Sequence, residues 1–355
     1  MKIMVYDGPR QLRVEERDSL PVGANEVKIS TICSGISHGT EMNVYRGAAP
    51  FFRRKSDPET RLFVDAGQGD TWKYPIYSSD PGVWYMGYAS VGEVIETGVN
   101  VTKVKKGDRV ICQAPHQSEA VKTEEDVVIL PMGIEPEHAI TLTNLITAYN
   151  GIMDTRILLG ETVVVSGLGM LGQMVVQMVK MSGAAKVYGI DMIDKRLKAA
   201  LENGCDEVFS PLTTKDIAME IRKRTNNRGA DKVIEVTGNA KALQEAMRLA
   251  APETTITALG WYQGQLKDVD LSEEFHHNRL GIKQSQTNFV DPSLRHLWDY
   301  NRRVESCLEI MKKLNFTNLI THRIPYDDVA EAYRIVDQHP EDVIQVVITY
   351  QEGKQ

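Results

Sequence analysis

Cysteine is scarce and scattered. The 355 residues hold four, Cys33, Cys112, Cys205 and Cys307, and no two form a C-x-x-C pair. That spacing implies neither a disulfide framework nor a structural zinc lobe. An excess of positive charge is also missing. The formal net charge is −7, which argues against a nucleic-acid surface. No apolar run approaches the roughly 20 residues that span a bilayer. The opening MKIMVYDGPRQLRVEE carries charges where a signal peptide needs an apolar core. The chain is therefore expected to be cytoplasmic, with no nucleic-acid or membrane partner. No internal repeat or low-complexity stretch stands out.

What is present is an ordinary globular composition, 42 % hydrophobic and 25 % charged, over a length that suits two domains. One stretch can be read residue by residue. Val163, Val164 and Val165 form a short β-branched run, as in a buried parallel strand. Gly167, Leu168, Gly169, Met170, Leu171 and Gly172 follow as G-x-G-x-x-G, and Met174, Val175, Met178 and Val179 then fall at helical spacing. A second apolar run ends in Asp191, 24 residues after Gly167. Gly167 permits the tight turn, Gly169 lets a pyrophosphate approach the backbone, and Gly172 lets the helix pack closely on the strand. The helix N-terminus offers N–H groups to phosphate. A carboxylate at Asp191 can accept from both ribose hydroxyls and would repel a 2′-phosphate, which favours NAD over NADP. Lys195 and Arg196 weigh the other way unless they lie on a solvated helix face.

From residue 161 on, strands expected near 162–166, 186–190, 206–209, 231–236, 254–258 and 281–285 alternate with helices near 170–182, 194–203, 214–225 and 239–250. That is an α/β pattern, a Rossmann doubly wound parallel sheet. The N-terminal third instead alternates short extended runs with polar turns, as antiparallel sheet does. Residues 47–86 form a long connection carrying Trp72, Tyr74, Tyr77, Trp84 and Tyr85. Such a loop is a lid, a binding loop or an oligomer contact, or else an excursion packed on its own aromatics.

With VKKGDRV, GYASVGEVIETG and GLGMLG at these spacings, the chain resembles the medium-chain dehydrogenase/reductase superfamily, the alcohol-dehydrogenase-like proteins. The resemblance covers nearly everything except 47–86. It implies a GroES-like β-rich catalytic domain (1–146 and 289–355), a Rossmann dinucleotide-binding domain (147–288), an active-site cleft between them, and a homodimer or homotetramer. The departures are specific. The family's zinc ligands fall here on Ser37, Tyr88 and Thr143, and zinc needs thiolate, imidazole or carboxylate donors. The resemblance is therefore to a zinc-independent member, with no metal. Glu41 resembles the family's acid that supports the metal ligands, which could orient His38.

Without zinc, something must polarise the substrate oxygen or exchange its proton. Tyr88 is the leading donor. Ser37, Thr40 and His38 are the other catalytic candidates, and His38 could alternatively meet the cofactor pyrophosphate. By resemblance, Thr237, Gly260 and Trp261 line the cofactor. Tyr88, Thr143, Trp261, Tyr262, His277 and Gln286 are candidates to meet the substrate, with the basic residues Arg302 and Arg303 beyond them. The expected function is NAD(H)-dependent interconversion of a secondary alcohol and a ketone on a polar, polyol- or sugar-like substrate. The alternatives are an NAD(P)H-dependent quinone or enone reductase and a non-catalytic dinucleotide-binding protein.

Overall fold

A computed structural model describes residues 1–350 apart from 66, 68–70, 263, 265 and 268. The chain forms two compact units, Met1–Thr143 together with the chain from Ile320 on, and Asn144–Leu319.

In the first unit Glu26–Gly35 is the organising strand. Its alternate residues Val27 and Ile29 are fully buried, as expected of a strand with one face on a core. It pairs antiparallel with Ser90–Thr97, Glu119–Thr123 and Gln345–Thr349, so a strand from the first tenth of the chain and the last strand share one sheet. A smaller sheet joins Lys2–Gly8 to Gln11–Glu16 and Ile76–Tyr77. Helix Val329–Gln338 packs its buried face into a core with Met4, Tyr6, Met42 and Val346. The 47–86 connection packs largely on its own aromatics. Phe51 and Trp72 lie 4.6 Å apart between ring centroids, and Trp72 stacks on Tyr85 at 3.6 Å.

Among its described residues the second unit holds six strands, all parallel. In chain order these are Thr162–Ser166, Lys186–Ile190, Glu207–Phe209, Lys232–Glu235, Thr255–Ala258 and Gly281–Gln284, and they stand in the order 3-2-1-4-5-6. This is the doubly wound order expected, with its reversal between the first and fourth strands. Thr162–Ser166 is buried along its whole length, which explains its unbroken apolar run.

The expected domain boundaries need correction. Residues 289–319, assigned from sequence to the catalytic domain, belong to the second unit, and the first crossing falls after Thr143 rather than Ile146. The physical reason is a set of ties to the Rossmann fold. Arg303 in helix Tyr300–Met311 is buried and donates to the Thr287 carbonyl at 2.7 Å. The Gln177 amide exchanges two hydrogen bonds with the Asn315 backbone, at 2.7 and 3.1 Å. Arg303 is thus a structural strut rather than a substrate contact. Arg302 likewise lies over the Trp298 ring at 4.0 Å and donates to the Leu297 carbonyl.

Candidate active site

Strand register lines up Ile190, Ser166, Glu235, Ala258 and Gln284 across the second unit's sheet. The segments that follow these residues therefore share one edge, the carboxyl end, where open α/β sheets bind ligands. There Gly167 takes φ +96°, and a Cβ on it would meet Thr237 Cγ2 at 2.6 Å. A Cβ on Gly172 would lie 1.9 Å from the Gly167 carbonyl oxygen, so helix Met170–Met181 and the turn are in direct backbone contact. A Cβ on Gly169 would meet nothing within 4 Å. The open space lies over the glycine that a pyrophosphate must approach. Leu168, Met170 and Leu171 complete this turn and first helical residues.

Asp191 accepts from the Leu168 N–H at 2.8 Å and the Ile193 N–H at 3.0 Å. Each of its oxygens keeps a lone pair for a ribose hydroxyl. Arg196 does not lie on a solvated face. Its side chain is 16 % exposed and stands 4.0 Å from Asp191, and burial lowers the guanidinium's pKa while Asp191 partly restores it.

Glu235 was not singled out from the sequence. Its carboxylate is fully buried and accepts from the Thr237 N–H at 2.7 Å, the Gly238 N–H at 3.2 Å, and the hydroxyls of Thr237 and Tyr262. Burial pushes its pKa up, and those hydrogen bonds offset part of the rise. It therefore shapes the 237–238 turn, which packs on Gly260 and Trp261. A Cβ on Gly260 would lie 2.1 Å from Gly238 N. Trp261 is 37 % exposed. The Tyr262 hydroxyl is bonded to Glu235. Gln286 sits at the carboxyl edge, but its amide oxygen accepts from Asn288 N at 2.6 Å. His277 is also corrected. It precedes Gly281, whose N–H bonds Thr254 O at 2.9 Å, so it lies at the sheet's amino edge, opposite the glycines.

In the first unit, Ser37, Tyr88 and Thr143 come together even though they are far apart in sequence. The Tyr88 hydroxyl donates to Ser37 Oγ, and Thr143 Oγ1 donates to the Tyr88 carbonyl at 3.3 Å. Thr40 also hydrogen-bonds the phenol. Burial, and then the Glu41 charge, push the Tyr88 pKa up to about 12, with Ser37 and Thr40 opposing the rise. Tyr88 reaches this place because Gly87 adopts φ +114° beside the His116 backbone, where a Cβ would lie 2.7 Å from His116 N. His38 is half-buried in the turn between Ser37 and helix Thr40–Tyr45.

Glu41, expected to orient His38, is fully buried and engaged by other groups. It accepts from Ser37 N–H at 2.8 Å, from Tyr333 OH at 2.5 Å, and faces His116 Nε2 at 2.8 Å. His116 and Tyr333 had no sequence signal, because each stands alone in its stretch and meets Glu41 only through folding. All four cysteines are buried, separate thiols.

Comparison with known proteins agrees with this architecture. The family model for the alcohol dehydrogenase GroES-like domain matches residues 23–166, and that for zinc-binding dehydrogenase matches 171–293. The chain is 31 % identical to D-guloside 3-dehydrogenase of Escherichia coli (strain K12), over 99 % of this chain and 100 % of that protein. It is 25 % identical to (R,R)-butanediol dehydrogenase of Bacillus subtilis (strain 168), covering 93 % and 94 % of the two chains. The crystal structure of 2R,3R-butanediol dehydrogenase from Bacillus subtilis shares the fold, with a TM-score of 0.77 at 20 % identity over 98 % of this chain and 99 % of that one. On these matches and this architecture, the chain belongs to the medium-chain dehydrogenase/reductase superfamily and is an oxidoreductase of alcohols and carbonyls.

Proposed function

We propose that this protein is a zinc-independent, NAD(H)-dependent dehydrogenase that interconverts a secondary alcohol and a ketone on a sugar- or polyol-like substrate, as a cytoplasmic homodimer or homotetramer. The observation that carries the reading is the convergence of Ser37, Tyr88 and Thr143. Two aliphatic hydroxyls and a protonated phenol do not fit zinc, which takes thiolate, imidazole or carboxylate. They do fit a substrate hydroxyl or carbonyl. When bound, the nicotinamide supplies or accepts the hydride. Tyr88, protonated at neutral pH, gives its proton to the carbonyl oxygen in reduction and takes one back in oxidation. Ser37 holds the phenol oxygen in place. Asp191 supports NAD. The nearby Arg196 is the feature that favours the alternative, an NADPH-dependent quinone or enone reductase. The sugar- or polyol-like substrate is supported by the full-length similarity to D-guloside 3-dehydrogenase.

The test is turnover of methyl D-guloside, 2,3-butanediol, propan-2-ol, L-threonine and cyclohexenone, with both nucleotides, before and after chelation. Expected is NAD-linked oxidation of the polyhydroxylated substrates, unchanged by chelator, with substoichiometric zinc by metal analysis. One tightly held zinc per chain would sink the zinc-free reading. Enone reduction with NADPH would establish the alternative. Firm NADH binding with no turnover on the whole panel would favour a binding protein.

A further inference from the structure

Glu235 ends the fourth strand of the parallel sheet and holds the chain on two sides. Its backbone carbonyl accepts from the Leu259 N–H at 2.7 Å and the Gly260 N–H at 3.2 Å, just past the fifth strand. Its side chain holds the turn after its own strand and the segment beyond Gly260. Oε1 accepts from the N–H and the hydroxyl of Thr237, and Oε2 accepts from the Gly238 N–H and the Tyr262 hydroxyl. An ionised carboxylate has about four lone-pair positions, and here a donor meets each of them. A fully buried carboxylate is costly unless it is bonded in this way, so these bonds tie both turns to one point.

Close backbone packing completes the block. A Cβ on Gly238, which has φ +67°, would lie 2.7 Å from the Trp261 carbonyl oxygen. The Gln284 amide, at the end of the sixth strand, donates to the Gly260 carbonyl at 3.3 Å. The Thr237 hydroxyl also accepts from the Asn239 N–H at 3.0 Å, which joins the turn to the start of helix Ala240–Leu249. Tyr262 packs against a core that includes Val233, Leu243 and Ile256, and its hydroxyl reaches back to Glu235.

The place of this block on the sheet gives it a use. Asp191 follows the second strand and the glycine turn follows the first, and the strand order reverses between the first and the fourth. A dinucleotide laid across that reversal has its adenosine beside Asp191, its pyrophosphate on the glycine turn and its nicotinamide beyond the fourth and fifth strands.

We propose that Glu235 and Tyr262 are positioning residues for the nicotinamide: they lock the turns at 237–238 and 260–262 into one floor on which the nicotinamide ring lies, and the adenosine half binds without them. The proposal rests on the reading of the carboxyl edge as an NAD site and names what holds its nicotinamide half. A floor fixed before the cofactor arrives costs no ordering when the ring binds, which is where its affinity comes from.

The test is calorimetric titration of the full chain with NADH and with ADP-ribose, which has the adenosine, both phosphates and the second ribose but no nicotinamide. The wild-type chain is expected to hold NADH at least about tenfold more tightly than ADP-ribose, and Tyr262→Phe to remove most of that difference with ADP-ribose affinity unchanged. The emission of bound NADH should fall as well, because the ring is no longer held. Thr237→Val, at an exposed position, removes one of the four side-chain donors with little risk to the fold, and should show the same split. Asp191→Ser is the complement and should weaken both ligands by the same factor. Equal losses of NADH and ADP-ribose in Tyr262→Phe, the mark of a merely structural bond, overturn the proposal. So does a Tyr262→Phe chain whose two affinities are those of the wild type. A loss confined to NADH in Asp191→Ser overturns the assignment of the halves. A wild-type chain that does not bind NADH overturns the NAD reading together with this proposal, whereas firm wild-type binding with equal losses overturns this proposal alone.

Discussion

The carboxyl edge of the Rossmann sheet and the hydroxyl cluster of the GroES-like unit are built on opposite principles. At the sheet edge, backbone does the work. Gly167, Gly169 and Gly172 sit within one turn of chain, and what matters at each is a side chain it lacks. In the cluster, side chains do the work. Ser37, Tyr88, Thr143, His116 and Tyr333 come from five separate stretches, and none has meaning without its partners. A backbone site tolerates few substitutions but can be read locally. A side-chain site can change its chemistry by single substitutions.

The sharpest way to break this contrast is at the glycines. Gly172→Ala sets a Cβ 1.9 Å from the Gly167 carbonyl oxygen and should both lower the melting temperature and weaken NADH binding by about 10²-fold or more. Gly169→Ala meets open space, so the free protein should melt normally while NADH binding, followed by nicotinamide fluorescence, still falls. A melting temperature lowered equally in both would remove the distinction between packing glycine and binding glycine.

In the other unit, Tyr88→Phe should reduce kcat by about 10²-fold and leave NADH affinity unchanged. Stopped-flow measurement of hydride transfer checks this, and a near-normal rate returns the donor role to His38 or Thr40.

Between these in kind, though smaller in effect, Asp191→Ser leaves Arg196 without its carboxylate neighbour. The ratio of NADP to NAD affinity should rise by about tenfold, read by titration with both reduced nucleotides. No change would mean that Asp191 does not select the ribose.

Smaller still is a pH effect. Glu235 has a folded-state pKa raised by burial, so its contribution is present at low pH and is lost as pH rises through the folded value. Thermal unfolding from pH 4 to pH 8 should therefore show a decline that Glu235→Gln flattens. The smallest expected effect is at the surface. Arg10, 55 % exposed, pairs with Asp337 at 2.7 Å, and Arg10→Ala should leave the chemical-denaturation midpoint nearly unchanged.

Legibility followed the same division. The six parallel strands lie within a residue or two of their expected places, because buried strands and amphipathic helices write their periods into contiguous residues. The domain boundary was misplaced by about thirty residues at its second crossing, since Arg303 and Asn315 commit their segment through hydrogen bonds that no periodicity encodes. His277 was plausible by residue type, and topology reassigned it to the amino edge of the sheet.

The sequence by itself determined the dinucleotide turn, the doubly wound parallel sheet and the residue types Ser, Tyr and Thr at positions 37, 88 and 143. Each depends on neighbours in the chain or on residue type at one place. Only the tertiary structure decided that Tyr88 rests on Ser37, that Glu41 faces His116 and Tyr333, and that Arg196 folds in beside Asp191. Those pairings span up to 292 residues of chain. They follow from how sheets and helices bring distant side chains into a dry interior, where every polar group must find a partner.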